Sequence, residues 1–504
     1  MILSNSPGAD APGSPALSLR TACLIVFVAS FCSMALEIAA SRLLAPYLGV
    51  SLYSWTGIIG VVLAGVMLGN WAGGRIADHS PKSQTLGTCL FLAGFFAMLT
   101  IVLIVVLSHD WDATSGRFYS RWLAEGINYI NDLHVIGKIV AWTAILFLVP
   151  MYLLGTISPQ VTRLAVGDLD HAGRVAGRIY AWSCAGAIAG TFGAGWGGIP
   201  LSGGVNGLIL AIALVLVVLS AAVGGIWRRP GELFLGMFVV GAAICGLSMR
   251  GYLSGGWTHG KKYALETNYY TIRVYDDQAR DPSSGSYVDA VDNQGRVNRS
   301  IALDALTHSY VKGWIEKDAA GHEIGFTADD AELGYPHEKV QAESARLAAE
   351  HAGGAPKVLV IGGGGYTFPR WVAAMLPAST VEVVEIDPGV TEVAHRKLGL
   401  NRDTPVVTYN LDGRQFVQER AEPGHYQLVV QDAVNDLSVP YHIMTKEYDD
   451  AVKRLLTPNG VYLLTVIDEL EDGLLLRSAV KTMRETFRHV ELMAAQELWK
   501  EDRR

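Results

Sequence analysis

Four groups of residues in the second half of the chain have types and spacing suited to chemistry. Gly362-Gly363-Gly364-Gly365 follows the apolar run Val358–Ile361. Glycines there let the backbone approach a ligand closely at a helix N-terminus, although a glycine turn can also be purely structural. Glu385, in Val383-Val384-Glu385-Ile386-Asp387, lies about 20 residues further on, where a carboxylate can accept both hydroxyls of a ribose. A solvated strand-end acid is the plainer alternative. Asp412-Gly413 ends a third apolar run. Its carboxylate can accept a hydrogen bond from an adenine amino group, cap a helix over 413–419, or do both. Gln431-Asp432-Ala433-Val434-Asn435-Asp436 places two carboxylates four positions apart, a spacing that suits a cationic amine or a pair of turn acids. Glycines, ribose acid and adenine acid in that order point to an adenosyl ligand without phosphates. No GxxxxGK[ST] loop for a nucleoside triphosphate occurs in this half.

Such residues need a frame, and the pattern from Lys357 onward supplies one. Strands are predicted at 358–361, 381–386, 406–409, 428–431 and 461–466. Helices fall between and after them, most clearly at 446–456 and 474–487. Alternating strand and helix predicts a doubly wound parallel sheet, whose ligands bind at the strands' C-terminal ends. Upstream, 264–345 reads as a small β domain with strand-like segments at 269–275 and 300–303, a polar loop over 281–300, and a helix from His337 to His351.

The first half is of another kind. The whole chain of 504 residues is 50% hydrophobic and 17% charged. Of its 40 Lys/Arg and 48 Asp/Glu, 27 and 38 fall in residues 251–504. The second half is therefore acidic, which argues against a nucleic-acid partner. After a tail over 1–21, residues 22–250 predict a membrane domain of about seven helices, at 22–47, 54–73, 86–107, 136–156, 178–199, 206–226 and 232–249. The fifth is rich in glycine and alanine, as closely packed membrane helices are. Glu37 and Arg42 lie inside the first span, as a structural ion pair or as part of a substrate path. Gly74-Arg75-Ile76-Ala77-Asp78 resembles the Gly-x-x-x-Asp loop of major-facilitator transporters. Lys/Arg residues concentrate in the loops after spans two, four and six, which makes those loops cytoplasmic. With seven spans that rule would place the second half outside, whereas adenosyl donors are made in the cytosol; its side stays open. An inner-membrane, multi-pass protein is expected, with the lipid bilayer as a partner. All five cysteines lie in the first half, so the second has no disulfide framework or thiolate metal site, and no metal is expected.

These residues resemble the spermidine synthase family of polyamine aminopropyltransferases, specifically its membrane-bound branch with a transporter-like first half. The likeness spans about 264–495 and, more loosely, 22–249. It implies a small β domain before a methyltransferase-like sheet over 346–504, and transfer of an aminopropyl group from decarboxylated S-adenosylmethionine, as co-substrate and with no other cofactor, to a polyamine such as putrescine. By resemblance Asp432 is the catalytic base. Gly362, Gly363, Gly364, Glu385, Asp387, Asp412, Gly413 and Pro440 bind the donor, while His308, His337, Asn435 and Asp436 meet the acceptor. A homodimer and the identity of the amine stay open. Departures from the family pattern are specific. Its GGGDGG reads Gly362-Gly363-Gly364-Gly365-Tyr366-Thr367 here, so the acid that meets the donor's amine is Gly365. The second acid of its D-x-x-D loop is Asn435, unless Asp436 serves. Its Leu-Asp-Gly-x-x-Gln reads Leu303-Asp304-Ala305-Leu306-Thr307-His308. An uncharged Gly365 site keeps two alternatives open: a methyltransferase or aminocarboxypropyltransferase using the intact donor, and a transporter or sensor that binds without chemistry.

Overall fold

A computed structural model describes residues 17–107, 129–130, 133–167, 169–224, 241, 261–280, 287–304, 306–434, 440–468 and 473–493. The chain forms two compact units, residues 1–252 and 253–504.

In the first unit, five described helices are long and apolar enough to cross a membrane: α1 (Leu19–Leu48), α2 (Leu52–His79), α3 (Ser83–Ile104), α4 (Val135–Ala165) and α6 (Val205–Val223). Between the last two lies α5 (Ala172–Gly193), where the fifth of seven spans was expected. It is not among the five, because Arg174 and Arg178 and its many glycines dilute its apolar content. The expected span at 232–249 lies outside the described residues.

Small residues let these helices cross at backbone contact. A Cβ at Gly186 or Gly190 of α5 would run into the carbonyl oxygens of Phe27 and Phe31 on α1. One at Gly73 of α2 would stand 2.7 Å from the Thr156 carbonyl of α4. Hydroxyls also bind between helices: Ser30 of α1 to Ser183 of α5 at 2.7 Å, and Ser220 of α6 to the Gly87 carbonyl of α3 at 2.6 Å. In an apolar surrounding such contacts replace the missing hydrophobic drive between helices. Leu52, Tyr53, Leu63, Met67 and Trp71 project outward from α2.

The second unit begins with a five-stranded antiparallel sheet in the order β1-β2-β5-β6-β7: β1 (Lys261–Glu266), β2 (Thr271–Asp276), β5 (Val297–Leu303), β6 (Leu306–Lys317) and β7 (Glu323–Ala328). A small hairpin pairs β3 (Gln278–Arg280) with β4 (Tyr287–Asp289). The polar stretch expected to be one loop over 281–300 therefore carries a strand at 287–289 and the start of β5. Here a polar residue, Arg299, is buried while the apolar Val288 and Val291 are exposed, which masks the alternation. Arg299, fully buried, donates to both carboxylate oxygens of Asp276 at 2.6 and 2.8 Å and to the Lys397 carbonyl at 3.0 Å. The bond to Lys397 ties the antiparallel sheet to the end of a helix that packs beside the second sheet.

Helix α7 (Pro336–His351) leads into a parallel sheet in the order β10-β9-β8-β11-β12. Its strands are β8 (Lys357–Ile361), β9 (Thr380–Val384), β10 (Val407–Tyr409), β11 (Tyr426–Gln431) and β12 (Leu456–Leu464). All four pairings are parallel. The expected doubly wound sheet is thus present. Alternate residues enter two cores: Val358, Val360, Val381, Val383, Leu428 and Val430 face one, shared with the antiparallel sheet. Leu359, Ile361, Val384 and Val429 face the other. Helices α7, α8 (Thr367–Met375) and α9 (Pro388–Lys397) cover the first face. Helices α10 (Gly413–Glu419) and α11 (Lys446–Leu455) cover the second. Helix α12 (Leu474–Thr486) packs on α11.

Candidate active site

Beyond the C-terminal ends of β8, β9 and β11 opens a cleft of about 1250 Å³. Backbone bonds carry the strands to its rim. Gly362 donates to the Val384 carbonyl (2.9 Å), Glu385 to Tyr409 (3.0 Å) and Asp432 to Ile361 (2.8 Å). Positive φ at Gly362 (103°) and Gly364 (49°) turns the chain from β8 toward α8. A side chain at Gly362 would run into the Asp432 carbonyl. Tyr366 takes the same left-handed region (φ 57°) despite its bulk. It is held by its N–H to Gly363 (2.8 Å) and by its hydroxyl against Thr391 (3.0 Å).

Glu385 is buried beneath this turn. Its Oε2 accepts the Gly363 N–H at 2.8 Å and its Oε1 the Asp387 N–H at 3.0 Å. Burial pushes its carboxyl up, and the backbone bonds offset that only in part. With a further backbone bond from Gly364, the carboxylate keeps a lone pair that can accept from a hydroxyl of a vicinal diol. Asp387 is different. It does not line the cleft. Its Oδ1 caps α9 through the Gly389 N–H (2.8 Å), and its Oδ2 accepts from Thr267 Oγ1 (2.6 Å). Asp387, expected to contact the donor, stands here as a helix cap next to Pro388, tied to the β domain through Thr267.

Asp412 caps α10 with Oδ1, as its place before Gly413 predicts, accepting from Arg414 and Gln415 N–H at 2.9 and 3.0 Å. It also faces the cleft beside Gly413. Its Oδ2 lies 2.9 Å from His442 Nε2. His442 escaped the sequence reading, although it stands two residues after Pro440, which also lines the cleft.

At the other end, Asp432 Oδ2 accepts from Gln341 Nε2 at 3.2 Å and lies 3.4 Å from His337 Nε2. Burial would raise the Asp432 carboxyl. The hydrogen bond and charge of His337, with bonds from Gln341 and Thr465, outweigh that and hold it below the usual range. His337 is desolvated too, yet Asp432 holds its pKa above the ordinary value. The two form an ion pair whenever His337 is protonated. Gln341 was missed in the sequence, although it sits one helical turn after His337 and so shares its face. The ring of Tyr335 stacks on His337, 5.3 Å between centroids.

His308, on β6, lines the same end. Burial drives its pKa down to about 4, so it is neutral, and its Nε2 has no hydrogen-bond partner among the described residues. Next to it, Ser309 Oγ meets Thr367 Oγ1 at 2.9 Å. A Cβ at Gly365 would be 2.5 Å from Ser309 Oγ. Ser309 therefore occupies the space an acid at 365 would need, and the site is not the roomier one that glycine alone suggests. Asn435 and Asp436 lie outside the described residues. No cluster of metal-ligating side chains occurs among the described ones.

Thus the described candidates other than Asp387 line one cleft, with Asp412 after β10, Glu385 after β9, the glycine turn after β8 and the Asp432–His337 pair beyond β11. Residues 340–496 match the spermine/spermidine synthase domain. The synthase domain is a transferase domain, and the curated relatives bear transferase names. Polyamine aminopropyltransferase of Vibrio vulnificus is 32% identical over 106 residues, 21% of this chain and 36% of that one. A probable polyamine aminopropyl transferase of Bifidobacterium longum is 29% identical over 26% of this chain and 28% of its own. The eEF1A lysine and N-terminal methyltransferase of Bos taurus is 30% identical over 22% and 17%. The chain thus spans about a third or less of the length of these relatives. A solved probable spermidine synthase from Corynebacterium glutamicum superposes with a TM-score of 0.35 at 19% identity, over 46% of this chain and 71% of that one.

Proposed function

We propose that the chain is a membrane-bound polyamine aminopropyltransferase that uses decarboxylated S-adenosylmethionine as co-substrate. The observation that carries this reading is the order of groups across the sheet that floors one cleft: Asp412 after β10, Glu385 after β9, the glycine turn after β8 and Asp432 after β11. Adenine, ribose, sulfonium and the reacting amine of an adenosyl donor and its acceptor lie in that order. Five long apolar helices in the first unit support a place in the bilayer.

In the proposed reaction the acceptor nitrogen attacks the propyl carbon next to the sulfonium. The C–N bond forms as the C–S bond breaks, and the bonding pair returns to sulfur, which leaves as the neutral thioether of methylthioadenosine. A free alkylamine has a pKa near ~10.4, so it arrives as the ammonium and must lose a proton before its lone pair can attack. Asp432 is ionised at neutral pH and can hold that ammonium, then accept its proton as the nucleophile advances. Gln341 keeps the carboxylate oriented. An arriving cation takes over the contact His337 makes in the free site. Positioning the two partners supplies the remainder of the rate.

A second reading is kept alive by Gly365, the position where the family's acid would meet the donor's amine. It is a methyltransferase or aminocarboxypropyltransferase using the intact donor. Nucleoside release by the purified chain decides between them. Methylthioadenosine from the decarboxylated donor with a polyamine mixture is expected, and Asp432→Asn should lower that turnover by ~10²–10⁴-fold with donor binding kept. S-adenosylhomocysteine from the intact donor would replace this reading with methyl transfer.

A further inference from the structure

The Asp412 carboxylate has less freedom than a nucleobase acceptor in an open cleft. Its Oδ1 is spent on two backbone N–H groups, those of Arg414 and Gln415. Whatever base enters can therefore be met only by Oδ2, and Oδ2 already has His442 Nε2 at 2.9 Å. A carboxylate oxygen has two lone-pair directions. One is taken by His442, leaving one for a ligand. His442 is itself held at its other end, where its carbonyl accepts from Arg414 Nη1 at 2.6 Å. Arg414 also reaches Thr445 Oγ1, the cap of α11, at 3.3 Å. Residues 440–445 are thereby fastened to the first turn of α10, on the wall that Pro440, His442 and Ile443 contribute to the cleft.

We propose that His442 is a positioning residue of the nucleobase subsite, orienting Asp412 so that its one remaining lone pair selects a base that presents an amino group. The proposal rests on the adenosyl reading of the cleft and adds to it the residue that sets base selectivity. With His442 donating to Oδ2, the Asp412 carboxylate is locked against rotation. A 6-amino group then donates to it, while a 6-oxo group puts acceptor against acceptor, a mismatch the locked carboxylate cannot relieve. Without the imidazole, Oδ2 has a second lone pair open to water and is held only through the bonds to Oδ1, and the mismatch costs less.

The test is calorimetric binding of methylthioadenosine and of its 6-oxo counterpart, methylthioinosine, to the full-length chain in detergent. The wild type should prefer the amino compound by at least ~10-fold, following the general cost of a mispaired polar group. His442→Ala should shrink that preference by at least ~5-fold, and His442→Gln, which restores an N–H donor, should recover most of it. Loosening of the fold alone would weaken both nucleosides together and leave their ratio unchanged. That result, or an unaltered ratio with unaltered affinities, overturns the role of His442. A wild-type chain that binds neither nucleoside overturns the adenosyl reading itself, and the proposal with it.

Discussion

The Asp432–His337 pair makes the acceptor end of the cleft sensitive to pH in both directions. His337 has its folded pKa raised, so its contribution to stability is complete below the unfolded value of ~6.5 and is lost as pH rises through the folded value. Asp432 has its folded pKa lowered, so its contribution holds above the ordinary carboxylate range and is lost as pH falls through the folded value. The pair should stabilise most between those limits. Replacing His337 with Gln keeps an N–H donor and removes the charge. The gap in Tm between wild type and His337→Gln is expected to narrow as pH is raised from ~5.5 to ~8.5; a constant gap would mean that the charge contributes nothing. At the donor end, Gly365→Asp should be destabilising by about 1–3 kcal/mol, because its Cβ meets Ser309 Oγ at 2.5 Å. Adding Ser309→Gly should recover much of that loss in thermal denaturation. If the single substitution proves harmless, the packing argument for Gly365 fails. Local sequence shows the glycine but not its occupant: Ser309 lies 56 positions away, on a strand of the other sheet.

Among the elements, the central parallel strands β8, β9 and β11 were legible because each carries a short run of Val, Leu and Ile that enters the cores on both faces, whereas the edge strands β10 and β12 are more exposed. The helix cap at Asp412 was legible as an acid before Gly413, whereas Asp387, before Pro388, was read only as a donor contact. Which of them would turn toward the cleft was not legible, since a cap and a ligand contact draw on the same carboxylate and only the packing of Thr267 decides. Asp387→Ala should therefore cost about 1 kcal/mol or somewhat more through the lost cap, seen as a lower Tm. Its donor Kd should stay within twofold. A tenfold rise would return Asp387 to the binding machinery. The buried Arg299–Asp276 pair could not have been inferred locally either, because its partner Lys397 offers a backbone carbonyl, which no side-chain pattern reveals.

At the scale of the whole molecule, the division into an apolar first half and an acidic second half follows from where the charges fall, and the chain divides into two compact units, residues 1–252 and 253–504. Helix count is the coarser reading. An α5 interrupted by arginines and glycines falls below the apolarity of its neighbours, since Gly contributes packing surface without hydropathy. The five apolar helices predict that the full chain stays in the pellet when membranes are washed with alkaline carbonate and is released by detergent. Recovery in the carbonate supernatant would make the first unit a soluble bundle.

Gly362 leaves no space between the glycine turn and the backbone of Asp432, whose N–H is in turn bonded to the end of β8. The glycine turn and the carboxylate of Asp432, on neighbouring hydrogen-bonded strands, are consequently held as one surface, assembled when the sheet assembles. Little conformational search then separates encounter from a reactive arrangement, so the entropy of ordering is met during folding rather than once per turnover. Loading of the first substrate should show a single kinetic phase whose rate climbs in proportion to its concentration, with no plateau from a slow rearrangement.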